Sequence, residues 1–117
     1  MPAAYGGPPD ALERYEMAVD RLPDVDRKGA KNPYTSRNGH MFSFLDQDGR
    51  IAIRLSDDAR AEFAAAHGDE PVIQYGAVMR GYVWVPDSLD VDAIAELLEQ
   101  SHAWIGTLKP KPTRKKS

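Results

Sequence analysis

The feature that most constrains the fold is an apolar run that ends in proline and precedes a long amphipathic segment. In residues 78–86, Tyr82 and Trp84 alternate with two valines, a pattern typical of a β-strand. The final proline ends the run because it donates no backbone hydrogen bond to a sheet. Residues 90–108 then carry apolar side chains at helical spacing. A strand and a helix are therefore predicted to pack together.

A β-hairpin is predicted from two apolar runs that flank a turn. Residues 41–45 and 50–55 are separated by residues 46–49, whose Asp-Gly end favours a type I turn with a left-handed glycine. The second run has the period of two of a strand with one solvent-exposed face. Its aliphatic face consists of Ile51, Ile53 and Leu55, and its charged face of Arg50 and Arg54.

Two further helices are predicted from their ends. Asp10 and Glu13 have the spacing of a capping box, which stabilises a helix start by about 1 kcal/mol. Pro23 is expected to end that helix. Ser56 is the predicted N-cap of a second helix, which Gly68 ends.

The remaining segments predict short strands. Residues 24–40 are rich in turn-forming residues, so any strand there is short and irregular, and another short strand is expected over residues 72–75. The order helix, strands, helix, strands, helix lacks the alternation of a parallel sheet. We predict the α+β class, with an antiparallel sheet of about five strands and helices packed on one face, in a single domain over residues 10–108. Residues 1–9 are predicted to be a flexible lead-in.

The charges are unevenly distributed along the chain. The net charge is −3, yet residues 1–108 alone carry −8 because the last nine residues are strongly basic. The basic residues of this segment, the predicted disordered tail 109–117, are Lys109, Lys111, Arg114, Lys115 and Lys116. The tail is either a solvated end or a contact for nucleic acid or another acidic partner. Its prolines keep it extended, and by itself it would bind nucleic acid weakly.

No arrangement of residues in the sequence predicts catalysis, a metal site or a cofactor. The three histidines, His40, His67 and His102, lie in different predicted elements without other ligands at metal-binding spacing. The serines lack the Gly-x-Ser-x-Gly surroundings of a nucleophile, and Arg50 stands where a calcium loop needs an oxygen ligand. With no cysteine, there is neither a disulfide nor a thiolate nucleophile. We therefore predict that the protein is not an enzyme.

Three aromatic residues, Tyr82, Trp84 and Trp104, have two interpretations: core packing, or a surface for ligand stacking or subunit contact. Tyr82 and Trp84 lie on the strand face opposite two valines, so both faces of that strand are apolar. The helices would cover one face. A partner subunit would cover the other, and a homodimer through Tyr82 and Trp84 is therefore our hypothesis.

The C-terminal half carries a run of the form Met-x-Gly-Tyr-Val-x-Val-Pro, followed by a helix and a Leu-Lys-Pro ending. These residues are Met79, Gly81, Tyr82, Val83, Val85, Pro86, Leu108, Lys109 and Pro110. In them, and in the order of elements over residues 10–112, the chain resembles the TfoX N-terminal domain family. The family's Met-Phe-Gly-Gly segment is replaced here by residues 34–40. The related MmcQ/YjbR-like domains have a similar layout and are the other structural candidate.

The resemblance implies a small α+β domain related to part of a bacterial regulator of DNA uptake competence, and it implies no catalytic residues. We therefore expect a non-enzymatic interaction or regulatory module, with an unknown protein or a second copy of the chain as partner. The alternative is a weak nucleic-acid-associated transcriptional or competence regulator that uses the basic tail. No apolar run is long enough for a membrane span and no secretory signal is visible, so a cytoplasmic location is expected.

Overall fold

Antiparallel strands and three helices make up the part of the chain that the structure describes. The structure is a computed structural model, and it describes residues 5–68, 70–74 and 76–109. Its helices are α1 (Pro9–Val19), α2 (Asp57–His67) and α3 (Val91–Ile105). Its strands are β1 (Tyr34–Arg37), β2 (His40–Leu45), β3 (Ile51–Arg54), β4 (Ile73–Gln74), β5 (Ala77–Val78) and β6 (Tyr82–Trp84). The α+β class predicted from the sequence is confirmed.

Four of the strands form the main sheet, which is antiparallel and has the order β1-β2-β3-β6. β1 is short, and its register shifts between Thr35 and Ser36, which agrees with the expected irregular strand. The predicted hairpin is confirmed as β2 and β3. Its turn closes through a hydrogen bond from the Gly49 amide to the Asp46 carbonyl, and Gly49 has a φ of 86°. Glycine adopts this left-handed conformation without steric strain.

The predicted strand count and the predicted strand over residues 78–86 need correction. Within the described residues, the main sheet has four strands rather than about five, and β4 and β5 form a separate two-stranded sheet. Residues 78–86 are not one strand because the chain turns between β5 and β6. Gly81 adopts a φ of 86° there, and the Tyr82 amide donates to the Met79 carbonyl. Of the strand expected over residues 72–75, the described residues show only β4.

All three helices contribute to the larger core, which lies on one face of the main sheet. The strand residues buried in this core include Ile51, Ile53 and Leu55, so their predicted common face is confirmed. α3 packs across β2 and β3 and also against α1. Its most deeply buried side chains are Ile94, Leu98 and Ile105.

The opposite face of the main sheet is covered in part by the chain itself. A smaller core forms there around Phe44, Ala52 and Val72, with Trp84 packed against it. Val72 comes from the segment that leads into β4. The predicted solvent-exposed face is therefore wrong at Ala52, which is fully buried. The alternation within a strand cannot show that a distant segment covers its second face.

The N-cap predicted for α2 is confirmed, and α3 has a cap of the same kind that was not predicted. The Ser56 side chain accepts a hydrogen bond from the Ala59 amide, and Asp90 accepts one from the Ala93 amide. Gly68 ends α2 with a φ of 90°, as predicted. These signals are local, because each involves residues within one turn of the helix end.

The ends of α1 differ from the expectation. α1 begins at Pro9 and no side chain caps it, so the predicted capping box of Asp10 and Glu13 is wrong. Proline suits the first helical position because its φ is already helical and its missing amide would have no helical partner there. The helix ends at Val19, before Pro23 is reached, and the chain continues in tight turns.

A buried row of hydroxyl groups joins α1 to the main sheet. The Tyr15 hydroxyl lies 2.7 Å from Ser43 Oγ, which also hydrogen-bonds Thr35 Oγ1. Burial raises the pKa of Tyr15 well above its usual value, so the phenol stays neutral and available for this bond. The three hydroxyls satisfy one another inside the core, where an unpaired polar group would be destabilising.

The described part of the predicted lead-in lies against the β2–β3 loop. The Tyr5 hydroxyl donates to the Asp46 carbonyl, and the Gly6 amide donates to the Gln47 side chain. Residues 1–4 and 110–117 lie outside the described residues, so the flexibility expected of them stays a prediction. In the described part, no helix combines the length and the apolarity that crossing a bilayer requires.

Truncation of Leu98 tests the packing of α3. Leu98 is 1% exposed, so Leu98→Ala should lower the free energy of unfolding by about 2–5 kcal/mol. Leu97→Ala is the matched control, and its loss should be smaller because Leu97 is only partly buried. Urea unfolding followed by circular dichroism measures both variants. Equal losses would contradict this packing of α3.

Candidate functional site

The antiparallel register brings three connections to one end of the main sheet. Arg37 lies opposite His40 across the β1–β2 turn, and Arg54 at the end of β3 lies opposite Tyr82 at the start of β6. The start of α2 follows β3 directly, and the turn between β5 and β6 precedes Tyr82. The last turns of α3 reach the same end, where Arg37 contacts His102. We call this region the basic end.

Positive charge collects at the basic end. Its basic residues are Arg37, Arg54, Arg60, Arg80 and Lys109, and its acidic residues include Asp57, Asp58 and Asp24, which lies near His102. The opposite end of the main sheet carries residues 46–50 and 86–92, which hold five aspartates and Arg50, and the side chains of Arg14 and Arg21 contact the second of these segments. The net charge of −3 therefore conceals a separation of charge along the strand direction.

A cleft of about 510 Å³ opens at the basic end, between the end of β3, the start of α2, the β5–β6 turn and the last turn of α3. Its charged and aromatic lining residues are Arg54, Asp57, Arg60, Arg80 and Trp104. We call it the basic cleft. A second groove, of about 380 Å³, continues from it between α2 and residues 70–72 and 78–83. Arg60 and Arg80 line both, so they stand where the two meet.

Two of the three arginines in the basic cleft have no acidic partner among the described residues. The Arg60 guanidinium lies 3.1 Å from the Asp57 carboxylate, which offsets its charge. Across residues 5–68, 70–74 and 76–109, no carboxylate lies within 4.0 Å of Arg54 or Arg80. Arg54 and Arg80 carry the same positive charge, so both attract an anion that enters the cleft. Guanidinium groups also match the paired oxygens of phosphates and carboxylates.

The walls of the basic cleft are held by packed elements. The Arg54 guanidinium lies 5.3 Å from the centroid of the Trp104 ring, within the range of a cation–π contact. The Ser101 hydroxyl donates to the Arg54 carbonyl and so ties α3 to β3. On the other side, the Leu55 amide donates to the Gly81 carbonyl. The cleft is therefore formed before any ligand arrives.

Arg37 closes the C-terminal end of α3. Its Nη1 donates to the His102 carbonyl at 2.7 Å and lies 3.2 Å from His102 Nδ1. A cation is favourable there because the last carbonyls of a helix carry partial negative charge. Burial lowers the pKa of His102, and Arg37 lowers it further against an opposing effect of Asp24.

The predicted tail residues are only partly described. Lys109 is exposed, and its carbonyl accepts a hydrogen bond from His40 Nε2 at 2.9 Å. His40 belongs to the β1–β2 turn, so the first residue of the tail starts at the basic end. The other predicted contact residues, Lys111, Arg114, Lys115 and Lys116, lie outside the described residues.

Tyr82 and Trp84 lie on the face opposite the helices, as the alternation predicts. The Tyr82 hydroxyl donates to the Met41 carbonyl, and the Trp84 indole donates to the Pro71 carbonyl. Burial raises the pKa of Tyr82 to about 12, although Arg54 opposes the rise. The chain's own carbonyls thus satisfy both polar groups, and the predicted subunit interface stays a prediction.

Sequence reasoning missed the arginines of the basic cleft. Arg54 is predicted only as part of a charged strand face, and Arg60 and Arg80 carry no prediction at all. The pairing of β3 with β6 is the signal that would have brought Arg54 and Arg80 together. Strand order is not encoded in the period of either segment, so the pattern of residues alone could not supply it.

Several chemically versatile side chains of the described residues have structural roles. Ser56 caps α2, and Ser101 is buried against the Arg54 carbonyl. In the described ranges, no group of three or more histidine and acidic side chains is placed to hold a metal ion. A smaller apolar pocket of about 230 Å³ lies beside β2, with Phe44 and Met79 in its lining. Charge, shape and an aromatic surface coincide in the basic cleft, as they also do beside Trp84, where the arginine, Arg50, is paired with Glu70.

The low pKa of His102 predicts a loss of stability in acid. The folded protein binds a proton at His102 less readily than the unfolded chain, whose histidines titrate near 6.5. The stabilisation is therefore complete above 6.5 and is lost as the pH falls from 6.5 through the folded pKa. Urea unfolding at several pH values should show a steeper loss for the parent chain than for His102→Gln. An NMR titration that places the His102 pKa at or above 6.5 would contradict this expectation.

Comparison with protein-family models, curated proteins and solved structures finds no match to this chain. The resemblance to the TfoX N-terminal domain, carried by Met79, Gly81 and the residues after them, therefore stays a prediction. What the protein does has to be inferred from the chemistry of the basic cleft and the charges around it.

Proposed function

We propose that this chain is a non-enzymatic, cytoplasmic interaction module that binds the phosphate backbone of nucleic acid at the basic end. One observation carries the proposal: Arg54 and Arg80 line the same cleft, and no carboxylate of the described residues lies within 4.0 Å of either. An arginine without an acidic partner is available to an external anion. The predicted role in a bacterial regulator agrees with this proposal.

The position of the basic tail supports the same partner. Lys109 is anchored beside the β1–β2 turn, so the four further basic residues of the tail follow in sequence from the basic end. Basic residues that follow in sequence from the basic end add to the positive charge that phosphates can contact. Together they offer more charge than the tail alone, which by itself would bind weakly.

The separation of charge supports a polyanion in particular. The aspartate-rich loops at the opposite end repel phosphates, while the basic end attracts them within a Debye length of about 8 Å. An approaching nucleic acid is therefore oriented toward the cleft. The phosphates of a nucleic acid each carry one charge and are spaced along the strand. This spacing matches separated cationic side chains better than a ligand with closely clustered carboxylates would.

A non-enzymatic role is supported by the structural contacts that the serine and histidine side chains around the cleft already make. The Ser101 hydroxyl donates to a backbone carbonyl, and Ser56 caps a helix. His102 lies against Arg37 at the end of α3. General acid–base catalysis needs a positioned group with free access to the reacting atom. The basic cleft offers arginines and an aromatic ring, which are suited to binding, and its one acidic lining residue, Asp57, pairs with Arg60.

A second candidate is self-association through the hairpin of β4 and β5. Ile73 and Val78 lie directly opposite each other and are 52% and 63% exposed. They border the smaller core on the face that holds Tyr82 and Trp84. Exposed apolar side chains on a two-stranded sheet, in which each strand has one outer edge, favour pairing with another chain. The homodimer hypothesis has its specific support here.

Salt-dependent binding tests the nucleic-acid proposal. We expect fluorescence anisotropy with labelled DNA to show salt-dependent binding. The logarithm of the association constant should fall linearly with the logarithm of the salt concentration, with a slope of about 0.7–0.9 per phosphate contact. Arg80→Gln should weaken binding and reduce that slope by one contact. A chain that ends at Leu108 should lose the contacts of the tail and keep the part that depends on Arg80.

Arg21→Gln is the matched control for this experiment. Arg21 is also an exposed arginine, but it pairs with Asp92 at the acid-rich end. The substitution removes the same charge from the molecule and should leave binding nearly unchanged. Equal losses of DNA affinity for Arg21→Gln and Arg80→Gln would mean that binding depends only on the net charge of the protein. Absence of salt-sensitive binding in the full chain would refute the proposal.

Sedimentation velocity at increasing protein concentration tests self-association. If the hairpin mediates it, the sedimentation coefficient should rise with concentration for the parent chain. Val78→Ser should abolish the rise because it removes an exposed apolar side chain from the β4–β5 pair. A monomer at every concentration would eliminate this second candidate.

A further inference from the structure

We infer that the basic cleft takes one unpaired nucleotide of a single strand, with its base on Trp104 and its phosphate between Arg54 and Arg80. The inference rests on the proposed function and adds the form of nucleic acid that is recognised. Trp104 lines the same cleft as both arginines, on its α3 wall. An aromatic ring and two cations in one cleft match the two chemical parts of a nucleotide.

Trp104 is placed for stacking rather than for the core alone. It is only partly buried, whereas Ile105 beside it is fully buried. The Arg54 guanidinium lies over one face of the ring, 5.3 Å from its centroid, so a base would stack on the opposite face. A base that stacks there contacts an aromatic surface while its phosphate remains within reach of an arginine.

A duplex cannot use this surface. Its bases are stacked on each other and paired, so only their edges are open to a protein. The face of a base becomes available in a single strand, in a loop or at a frayed end. The basic cleft should therefore prefer single-stranded nucleic acid, although the arginines alone would not distinguish the two forms.

The groove next to the basic cleft gives a strand a path beyond one nucleotide. Arg60, Arg80 and Asp57 line both cavities. Asp57 pairs with Arg60, so Arg80 is the cation that an adjacent phosphate can meet at the junction. Farther along, the groove is lined by Glu70, which repels phosphates. The favourable path is therefore short, and the bound segment should extend from Trp104 only to the region of Arg60 before it leaves the surface.

The test compares strands that differ only in their bases. In a Trp84→Phe background, Trp104 is the sole tryptophan, so its fluorescence reports directly on the cleft. We expect an oligothymidine strand to quench this fluorescence and to bind about tenfold more tightly than an abasic strand of equal length. A duplex of equal length should bind with the lower affinity and without quenching.

Two variants separate stacking from packing. Trp104→Leu retains apolar volume and should lower the affinity for oligothymidine to that for the abasic strand. Trp104→Phe retains an aromatic ring and should keep part of the preference for oligothymidine over the abasic strand. Circular dichroism checks that both variants fold, and the abasic comparison in the Trp84→Phe background depends on neither of them.

The outcomes are distinguishable. Equal affinity for the oligothymidine strand, the abasic strand and the duplex, without quenching, would overturn the inference and leave the proposed binding of phosphates intact. No binding of any strand would refute both. Thymidine monophosphate that binds as tightly as the strand would show that the cleft takes a free nucleotide, which also overturns the inference.

Discussion

Burial of the apolar stripe of α3 against the main sheet is the interaction on which the rest of the structure depends. Its buried side chains Ile94, Leu98 and Ile105 contribute about 1.5–3 kcal/mol each. A sheet with an apolar face must cover it to be stable in water, and α3 covers β2 and β3. The same packing brings the last turn of α3 to the basic end, where Trp104 meets Arg54. The interaction that stabilises the fold also builds one wall of the basic cleft.

The separation of charge follows from the antiparallel arrangement. Each strand reverses the direction of the one before it, so the connections of the main sheet lie at its two ends. In this chain, the connections at one end carry Arg37, Arg54 and Arg80, and those at the other end carry five aspartates and Arg50, which pairs with Glu70. A modest net charge of −3 therefore coexists with a strongly cationic region. This region is the physical basis for proposing a polyanionic partner for a chain that is acidic as a whole.

Several elements determined by neighbouring residues are predicted from the sequence, although the capping box of Asp10 and Glu13 and the turn at Gly81, which are also local, are not. The β2–β3 turn and the Ser56 cap each depend on a few adjacent residues, and both are confirmed. The strand over residues 78–86 fails because Gly81 turns the chain within a run whose composition stays apolar. Ala52 is buried by Val72, a residue that no local pattern links to it. The sequence indicates one feature of the basic cleft, namely that Trp104 could provide an aromatic surface for a ligand or a partner.

By itself, the sequence determined the kinds of element in this protein, the faces that they bury and the basic character of residues 109–117. It could do so because the spacing of apolar side chains along the sequence follows the period of a strand or a helix. The tertiary structure alone decided which strands are neighbours and hence that Arg54 and Arg80 share a cleft. Backbone groups can form the same hydrogen bonds between any two strands. The choice of partner therefore depends on how the whole core packs, which no segment encodes separately.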